Sequence, residues 1–126
     1  MRYLLDTTFA IDYLRNDAAC VARFARLFEE GDEPYVNEVV LCELAVGGGP
    51  TDDPKFLAFV RAVSFVQPGP DIALQAGVWR RDARRRGRTL SLSDSLIAAA
   101  AHGLSAPVLT RNVRDFLLAP IQVEMY

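Results

Sequence analysis

Short apolar runs and stretches of helical periodicity alternate along this chain. The apolar runs predict strands at Tyr3–Asp6, Pro34–Val36, Val63–Val66, Val108–Thr110 and Ile121–Val123. The periodic stretches predict helices at Thr8–Arg15, Ala18–Glu30, Glu38–Val46, from near Pro54, at Asp71–Arg86 and after Ser91 as far as His102, with Asn112–Leu118 as a turn or short helix. Because strands alternate with helices, we expect an α/β fold with a short, mostly parallel central sheet of about four or five strands, flanked by helices.

Turn-forming residues mark the ends of several predicted helices. Gly31 and the run Gly47–Pro50 each end a helix, since glycine readily adopts the left-handed conformation found after helices. Asn37 is placed to cap the helix that follows it. Gly103 is predicted to stop the last long helix.

Composition indicates one globular domain that comprises residues 1–126. Hydrophobic residues make up 51% of the chain and charged residues 24%, a balance that excludes a disordered or fibrous protein. The longest purely apolar run, Leu96–Ala101, is far too short to cross a bilayer, and Met1 begins no signal peptide, so we expect a cytoplasmic protein. Cys20 and Cys42 lack metal-ligand spacing and are expected to be reduced core residues.

Glu43 is the most informative single residue. Its neighbours three and four positions away along the helix are apolar or small: Val39, Val40, Val46 and Gly47. A carboxylate buried there without a partner costs several kcal/mol or takes up a proton, so Glu43 needs a cation, a donor or a metal nearby. The alternative is a helix edge from which Glu43 reaches solvent or an arginine.

Three aspartates also occupy positions where ligands bind in α/β folds. Asp6 ends the first strand, and the carboxyl ends of parallel strands line such sites. Asp115 follows the fourth strand, and Asp94 begins a helix. Each has a structural alternative: Asp6 caps the next helix, Asp94 completes a capping box with Ser91, and Asp115 is a turn residue.

These four acids can converge on one pocket of a small α/β domain. Like charges at short range cannot all stay ionised without a cation. A donor set of oxygens, without histidine or cysteine, favours Mg²⁺ or Mn²⁺ over zinc. Such ions activate water and neutralise the phosphate in phosphodiester cleavage.

Four segments around the acids resemble, in order, the motifs of the PIN-domain superfamily. They are Leu4–Leu14, Glu43–Gly47, Ser93–Ala101 and Leu109–Phe116, and they span nearly the whole chain. The arrangement is similar to that of the VapC-type toxins of VapBC toxin–antitoxin systems. The resemblance implies a single PIN-like domain and a metal-dependent endoribonuclease that hydrolyses RNA phosphodiester bonds.

The resemblance also implies roles for individual residues. The catalytic metal ligands would be Asp6, Glu43, Asp94 and Asp115, and the residues that support them would be Thr7, Thr110 and Asn112. Some family members carry the last acid at the position of Asn112, so Asp115 is either a ligand or a residue just behind one. A homodimer and a cognate VapB-like antitoxin, whose tail would occlude the acidic pocket, are implied as well.

A basic stretch precedes Asp94 by one short loop. Six arginines fall between Arg80 and Arg88, although the net charge of the chain is −2. They lie mostly off the apolar stripe of their helix, which is Ile72, Ala76, Trp79 and Ala83. We expect RNA phosphate contacts from Arg80, Arg81, Arg84, Arg85 and Arg88. A solvated helix face and contact with an acidic antitoxin segment are the alternatives.

Other functions remain open at this point. One is a PIN nuclease outside toxin–antitoxin systems, which the lack of a neighbouring antitoxin gene would indicate. Another is a catalytically inactive PIN-like module that binds RNA or protein, although such a module has no need of four mutually repelling acids. A phosphatase with Asp6 as nucleophile is disfavoured because no second aspartate stands two residues later. His102 is expected to be a capping or surface residue.

Overall fold

A computed structural model describes the whole chain, Met1–Tyr126. Its strands are β1 (Arg2–Leu5), β2 (Glu33–Val36), β3 (Ser64–Phe65), β4 (Val108–Leu109) and β5 (Val123–Glu124). Its helices are α1 (Thr7–Leu14), α2 (Ala18–Glu29), α3 (Glu38–Gly47), α4 (Pro54–Ala62), α5 (Pro70–Arg85) and α6 (Leu92–Leu104), and Val113–Phe116 forms a 3₁₀ turn. The predicted α/β order is confirmed.

The five strands form one parallel sheet in the order β3-β2-β1-β4-β5. The chain moves outward from β1 to β2 and β3, and then returns across the sheet to β4, so the strand order reverses between β1 and β4. In parallel sheets a crevice opens at the carboxyl ends of the two strands where this reversal occurs. Asp6 and Thr110, which directly follow β1 and β4, therefore flank the crevice.

The core is continuous beneath this crevice. Leu4 and Leu5 of β1 and Val108 and Leu109 of β4 are all fully buried. In α6 the run Ala98–Ala101 is buried as well, and the helix packs on β1 and on α5. Since alanine side chains are short, α6 approaches the sheet closely, and its first turn carries Asp94.

An aromatic cluster surrounds α1. Phe9 is fully buried, and its ring meets the edge of the Tyr126 ring at 4.8 Å between centroids. Tyr13 and Phe24 pack at 4.6 Å, and both rings contact Phe59 of α4. Pairs of aromatic rings in such arrangements add to the free energy of burial. They also hold residue 126 against the helix that follows Asp6.

The predicted helix ends are partly confirmed. Gly31 has φ of +75° after α2, and Asn37 Oδ1 accepts the backbone N–H of Val40 at 3.1 Å. The predicted stop at Gly103 is wrong, because α6 continues through it. The partly buried Leu104 packs against the core, which favours the extra residues, and Ser105 takes the left-handed conformation instead, with φ of +54°.

The expected core role of Cys42 is also wrong. Cys42 is exposed, whereas Cys20 is buried, and both are free thiols. Val40 and Leu44 supply the buried side of α3, and Cys42 lies two positions from each, on the opposite side of the helix. Burial raises the pKa of Cys20 to about 12, so this thiol stays protonated.

The apolar stripe of α5 is confirmed, with Ala76, Trp79 and Ala83 buried and Ile72 half-buried against the core. None of the six helices combines the length and the hydropathy that a membrane span requires.

Candidate active site at the ends of strands β1 and β4

Asp6 is a buried carboxylate directly after β1 and is also the N-cap of α1. Its Oδ1 accepts the backbone N–H of Thr7 at 2.5 Å. Its Oδ2 accepts the hydroxyl of Thr8 at 3.0 Å and the hydroxyl of Thr110 at 2.5 Å. Both carboxylate oxygens are therefore held in a fixed orientation.

Thr110 connects the end of β4 to this carboxylate. Its side chain is completely buried, donates to Asp6, and accepts the backbone N–H of Asn112 at 2.9 Å. Asn112 thus supports Thr110 through its main chain, while its own side chain is exposed. The hydroxyls of Thr8 and Thr110 also approach each other to 3.4 Å.

Glu43 reaches the same place from α3. It is half-buried, and its Oε1 accepts the hydroxyl of Thr7 at 2.7 Å. Thr7 therefore bridges the two acids, with its N–H on Asp6 and its hydroxyl on Glu43. Thr7 is thus the hydrogen-bond donor that the sequence led us to expect for Glu43. The helix face around Glu43 is less buried than expected, however, because Val46 is 87% exposed.

Asp94 approaches from the first turn of α6. Its backbone N–H donates to Ser91 Oγ at 3.0 Å, so Ser91 caps the helix. The pKa of Asp94 is raised to about 6, first by burial and then by the negative charges of Asp115, Asp6 and Glu43. The structure thus places the other three predicted acids within electrostatic range of Asp94.

Positive charge does not balance these acids. Burial raises the pKa of Asp6, and the charge of Glu43 adds to the effect, while the hydrogen bonds from Thr110, Thr8 and Thr7 oppose it. The ion pairs of the structure involve other acids, namely Asp12, Glu30, Asp32 and Glu124. The carboxylate cluster therefore has an unneutralised negative charge, which a cation would relieve.

Asp115 lies at the rim of the cluster. It is exposed in the 3₁₀ turn, beside a cavity of about 550 Å³ that Arg111, Arg114 and Met125 also line. No three His, Cys, Asp or Glu side chains are arranged, as they stand, to hold a metal ion. The acids share a neighbourhood, therefore, without forming a preassembled coordination set.

A second buried aspartate was missed by reasoning from the sequence. Asp12 of α1 accepts the Tyr126 hydroxyl at 2.6 Å and pairs with Arg111 at 3.0 Å between Nη1 and Oδ2. Burial and the hydrogen bond to Asp12 raise the pKa of Tyr126, so the phenol remains a donor. Asp12 stands four residues after Thr8 and so lies on the same face of α1. This spacing was the signal in the sequence that Asp12 lies near the carboxylate site. No local pattern pointed to Tyr126.

The predicted RNA contacts divide into two groups. Arg80, Arg81, Arg84 and Arg88 line one cavity of about 380 Å³, whereas Arg85 does not. Arg88 is close in sequence to Asp94, at the loop that leads into α6. His102 is exposed, and its ring meets Trp79 edge-on at 5.5 Å, in agreement with a surface role.

Comparison with known proteins gives a consistent result across nearly the whole chain. The family model described as PIN domain matches residues 3–119. Ribonuclease VapC19 of Mycobacterium tuberculosis is 37% identical over 117 residues, which cover 93% of this chain and 94% of the relative.

Two solved structures share the fold. VapBC2 from Rickettsia felis superposes with a TM-score of 0.86 at 20% identity and covers 100% of this chain and 99% of the other. VapBC-1 from nontypeable Haemophilus influenzae has a TM-score of 0.81 at 25% identity, with coverage of 99% and 98%. The family match and the 37% identity to Ribonuclease VapC19 show that the chain is a member of the PIN-domain family, of the VapC type.

Proposed function

We propose that this protein is a metal-dependent endoribonuclease in which Asp6, Glu43, Asp94 and Asp115 bind Mg²⁺ or Mn²⁺. One observation carries the proposal: burial, and then the charges of the other three acids, raise the pKa of Asp94, and no arginine or lysine forms an ion pair with any of the four. The donor set contains only oxygen, which suits hard divalent ions. The chemistry that such an ion supplies is activation of a water nucleophile and neutralisation of the phosphate.

The threonines around the acids act as positioning residues in this proposal. Thr110 and Thr8 orient Asp6, and Thr7 orients Glu43, so these two carboxylates need little further ordering when an ion binds. Asp94 and the exposed Asp115 have fewer restraints. Because no complete coordination set stands ready, the proposal requires the carboxylates to close around the ion. Asp115 contacts the ion directly or lies just behind a residue that does.

RNA is proposed as the substrate because the curated relatives that this chain matches include Ribonuclease VapC19 and Ribonuclease VapC1. A toxin role, a VapB-like antitoxin and a homodimer belong to the same proposal. The toxin role and the antitoxin are supported by the likeness to VapBC-1, whereas the homodimer is proposed only from the resemblance to VapC-type toxins. The antitoxin would be encoded beside this gene. Failure of that neighbouring product to bind or inhibit the protein would favour a nuclease outside toxin–antitoxin systems.

Cleavage of end-labelled total bacterial RNA tests the nuclease proposal. Wild-type protein and Asp6→Asn are purified in parallel and assayed with Mg²⁺, Mn²⁺ or EDTA. We expect discrete bands only from the wild type and only with metal, because Asp6→Asn removes a ligand charge while keeping the shape of the side chain. Identical band patterns from both proteins would indicate a contaminating ribonuclease, and no bands with either metal would favour a binding-only module.

Thermal unfolding gives a readout that does not depend on activity. A ligand that binds only the folded state raises the melting temperature with its concentration. We expect Mg²⁺ or Mn²⁺ to raise the melting temperature of the wild type and to leave that of Asp6→Asn nearly unchanged. Equal shifts in the two proteins would exclude Asp6 as a ligand.

A further inference from the structure

A groove on α5, here called the arginine groove, lies outside the carboxylate cluster. It has a volume of about 380 Å³ and is lined by Gly77, Arg80, Arg81, Arg84, Arg88, Thr89 and Leu90. Leu90 is the one hydrophobic residue among them. The cations that form ion pairs are the N-terminal amino group, Arg23, Arg26 and Arg111, so the arginines of the groove have no acidic partners.

The positive charge of the arginine groove is concentrated by the fold. Arg80 and Arg84 are one helical turn apart, a spacing at which like charges repel. Arg80 Nε also donates to the carbonyl of Leu90 at 3.1 Å, which ties the loop after α5 to the helix and brings Arg88 to the same cavity. The negative end of the helix dipole favours cations in the last turn of α5, where Arg84 lies. The dipole does not explain why they converge on a concave surface.

Gly77 provides an independent indication that the groove is kept open. Glycine inside a helix is less favourable than alanine. A Cβ at Gly77 would meet no atom within 4 Å, and the backbone there has no positive φ, so neither packing nor conformation requires glycine. Its effect is to leave the wall of the arginine groove without a side chain.

We propose that the arginine groove binds a phosphodiester segment of the RNA substrate beside the position that is cut. The inference rests on the proposed nuclease function. The loop that closes the groove is held by the hydrogen bond from Arg80 to Leu90 and leads directly into α6, whose first turn carries Asp94, so a short segment joins the groove to the carboxylate cluster. Arginine forks bind phosphate oxygens in pairs. An acidic peptide fits less well, because Leu90 is the one hydrophobic residue of the lining and the groove offers no pocket of hydrophobic residues for side chains.

RNA binding in EDTA, where no metal-dependent cleavage occurs, tests the proposal. The probe is a fluorescently labelled, single-stranded RNA of 30 nucleotides and mixed sequence, and anisotropy is measured at several salt concentrations. The test variants are Arg81→Gln/Arg84→Gln, which removes two charges, and Gly77→Glu, which places an acid in the groove. The matched controls are Gly77→Ala and Arg15→Gln/Arg61→Gln, the latter changing two exposed arginines that form no ion pair.

We expect both test variants to bind the RNA at least about tenfold more weakly. In the double variant, the slope of log affinity against log salt concentration should decrease by the amount that corresponds to about two phosphate contacts. Both controls should bind within about twofold of the wild type, and Gly77→Ala should melt at a higher temperature. Equal affinity of all five proteins for the RNA would overturn the proposal. So would poly-L-glutamate binding that depends on the groove while RNA binding does not.

Cleavage assays on the same proteins separate this proposal from the nuclease proposal. If the groove variants lose RNA affinity while the wild type cuts no RNA with either metal, the groove is an RNA-binding site, but the nuclease proposal fails and with it the placement of the groove beside a cleavage position. If the wild type cuts RNA and the groove variants match it in KM and kcat, the groove assignment fails alone. Both proposals are supported if the wild type cuts RNA and the groove variants cut it with a raised KM and a nearly unchanged kcat.

Discussion

Asp6 and Asp12 are both nearly inaccessible to solvent, at 5% and 6% exposure, and both belong to the segment that begins at the end of β1. Their partners differ. Asp12 has a guanidinium at 3.0 Å and a phenol at 2.6 Å. Asp6 has three neutral donors, no cation, and the charge of Glu43 nearby.

The difference separates a structural carboxylate from one suited to a ligand. A buried charge is tolerated when protein groups neutralise it, as Arg111 does for Asp12. Where the protein supplies hydrogen bonds but no opposite charge, the folded state without ligand carries an electrostatic cost, and such perturbed acids are concentrated at functional sites. Neutral substitutions should therefore have opposite effects on stability in the two regions.

The largest expected effect is on catalysis, from Glu43→Gln. We expect cleavage to fall by at least about 100-fold, a loss typical for removal of one electrostatic group from an active site. The melting temperature of the metal-free protein should rise, because the substitution removes the negative charge of Glu43, which adds to the effect of burial on the pKa values of Asp6 and Asp94. Glu38→Gln, an exposed change in the first turn of the same helix, is the control. A fall of several degrees in Glu43→Gln would show that Glu43 has a structural role.

The second prediction is the opposite sign of stability change at Asp12. Asp12→Asn removes the buried partner of Arg111 and weakens the bond to Tyr126, so we expect a loss of about 1–3 kcal/mol in the free energy of unfolding. Urea unfolding measures this loss. Together with Arg111→Gln and the double variant, it completes a double-mutant cycle that gives the interaction energy between Asp12 and Arg111. A gain in stability for Asp12→Asn would contradict the distinction between the charge-paired Asp12 and the carboxylates of the site, which lack a counter-charge.

A third prediction concerns pH. The pKa of Asp94 is about 6 in the folded protein and 3.8 as its ordinary value, so the folded state binds more protons between these values. Stability from this group is therefore lost as pH rises through that window. The advantage of Asp94→Asn over the wild type, measured by urea unfolding of metal-free protein, should be larger at pH 7.5 than at pH 4.5. A stability difference between Asp94→Asn and the wild type that does not change with pH would contradict the raised pKa of Asp94.

The smallest expected effect comes from Tyr126→Phe. The variant keeps the ring that packs on Phe9 but removes the donor to Asp12, so we expect a loss of about 1 kcal/mol in stability. Tyr126→Ala should cost about 3–5 kcal/mol, because it also removes the packed ring. If both variants lose the same amount, the hydroxyl rather than the ring holds this part of the chain.

Much of the fold was predictable because its signals are local. The alternation of apolar runs and amphipathic stretches is enough to predict the elements, and Gly31 and Asn37 act within a few residues of their own positions. The predictions of a helix end at Gly103 and of a buried Cys42 were wrong for one shared reason. Whether α6 continues, and which side of α3 faces the core, depends on what packs against each helix, and no local pattern contains that information.

The candidate site shows the same division. Asp6, Glu43, Asp94 and Asp115 were proposed from the sequence through their positions at strand ends and helix starts and through the resemblance of their segments to one family. Which residues donate hydrogen bonds to them was only partly predictable. Thr7 and Thr110 were expected, whereas the donation from Thr8 to Asp6 emerged only from the folded chain.

By itself, then, the sequence determined the order of the elements and the parallel sheet, because these follow from periodicity and chain order. It proposed the four acids through their positions and through the resemblance to one family. The tertiary structure decided which acids receive a counter-charge: Arg111 and Tyr126 reach Asp12 from far along the chain, and no cation reaches Asp6. It also decided which arginines share a groove, since a cavity is formed by helix and loop together. Both depend on long-range packing, which brings distant residues within a few ångströms of one another.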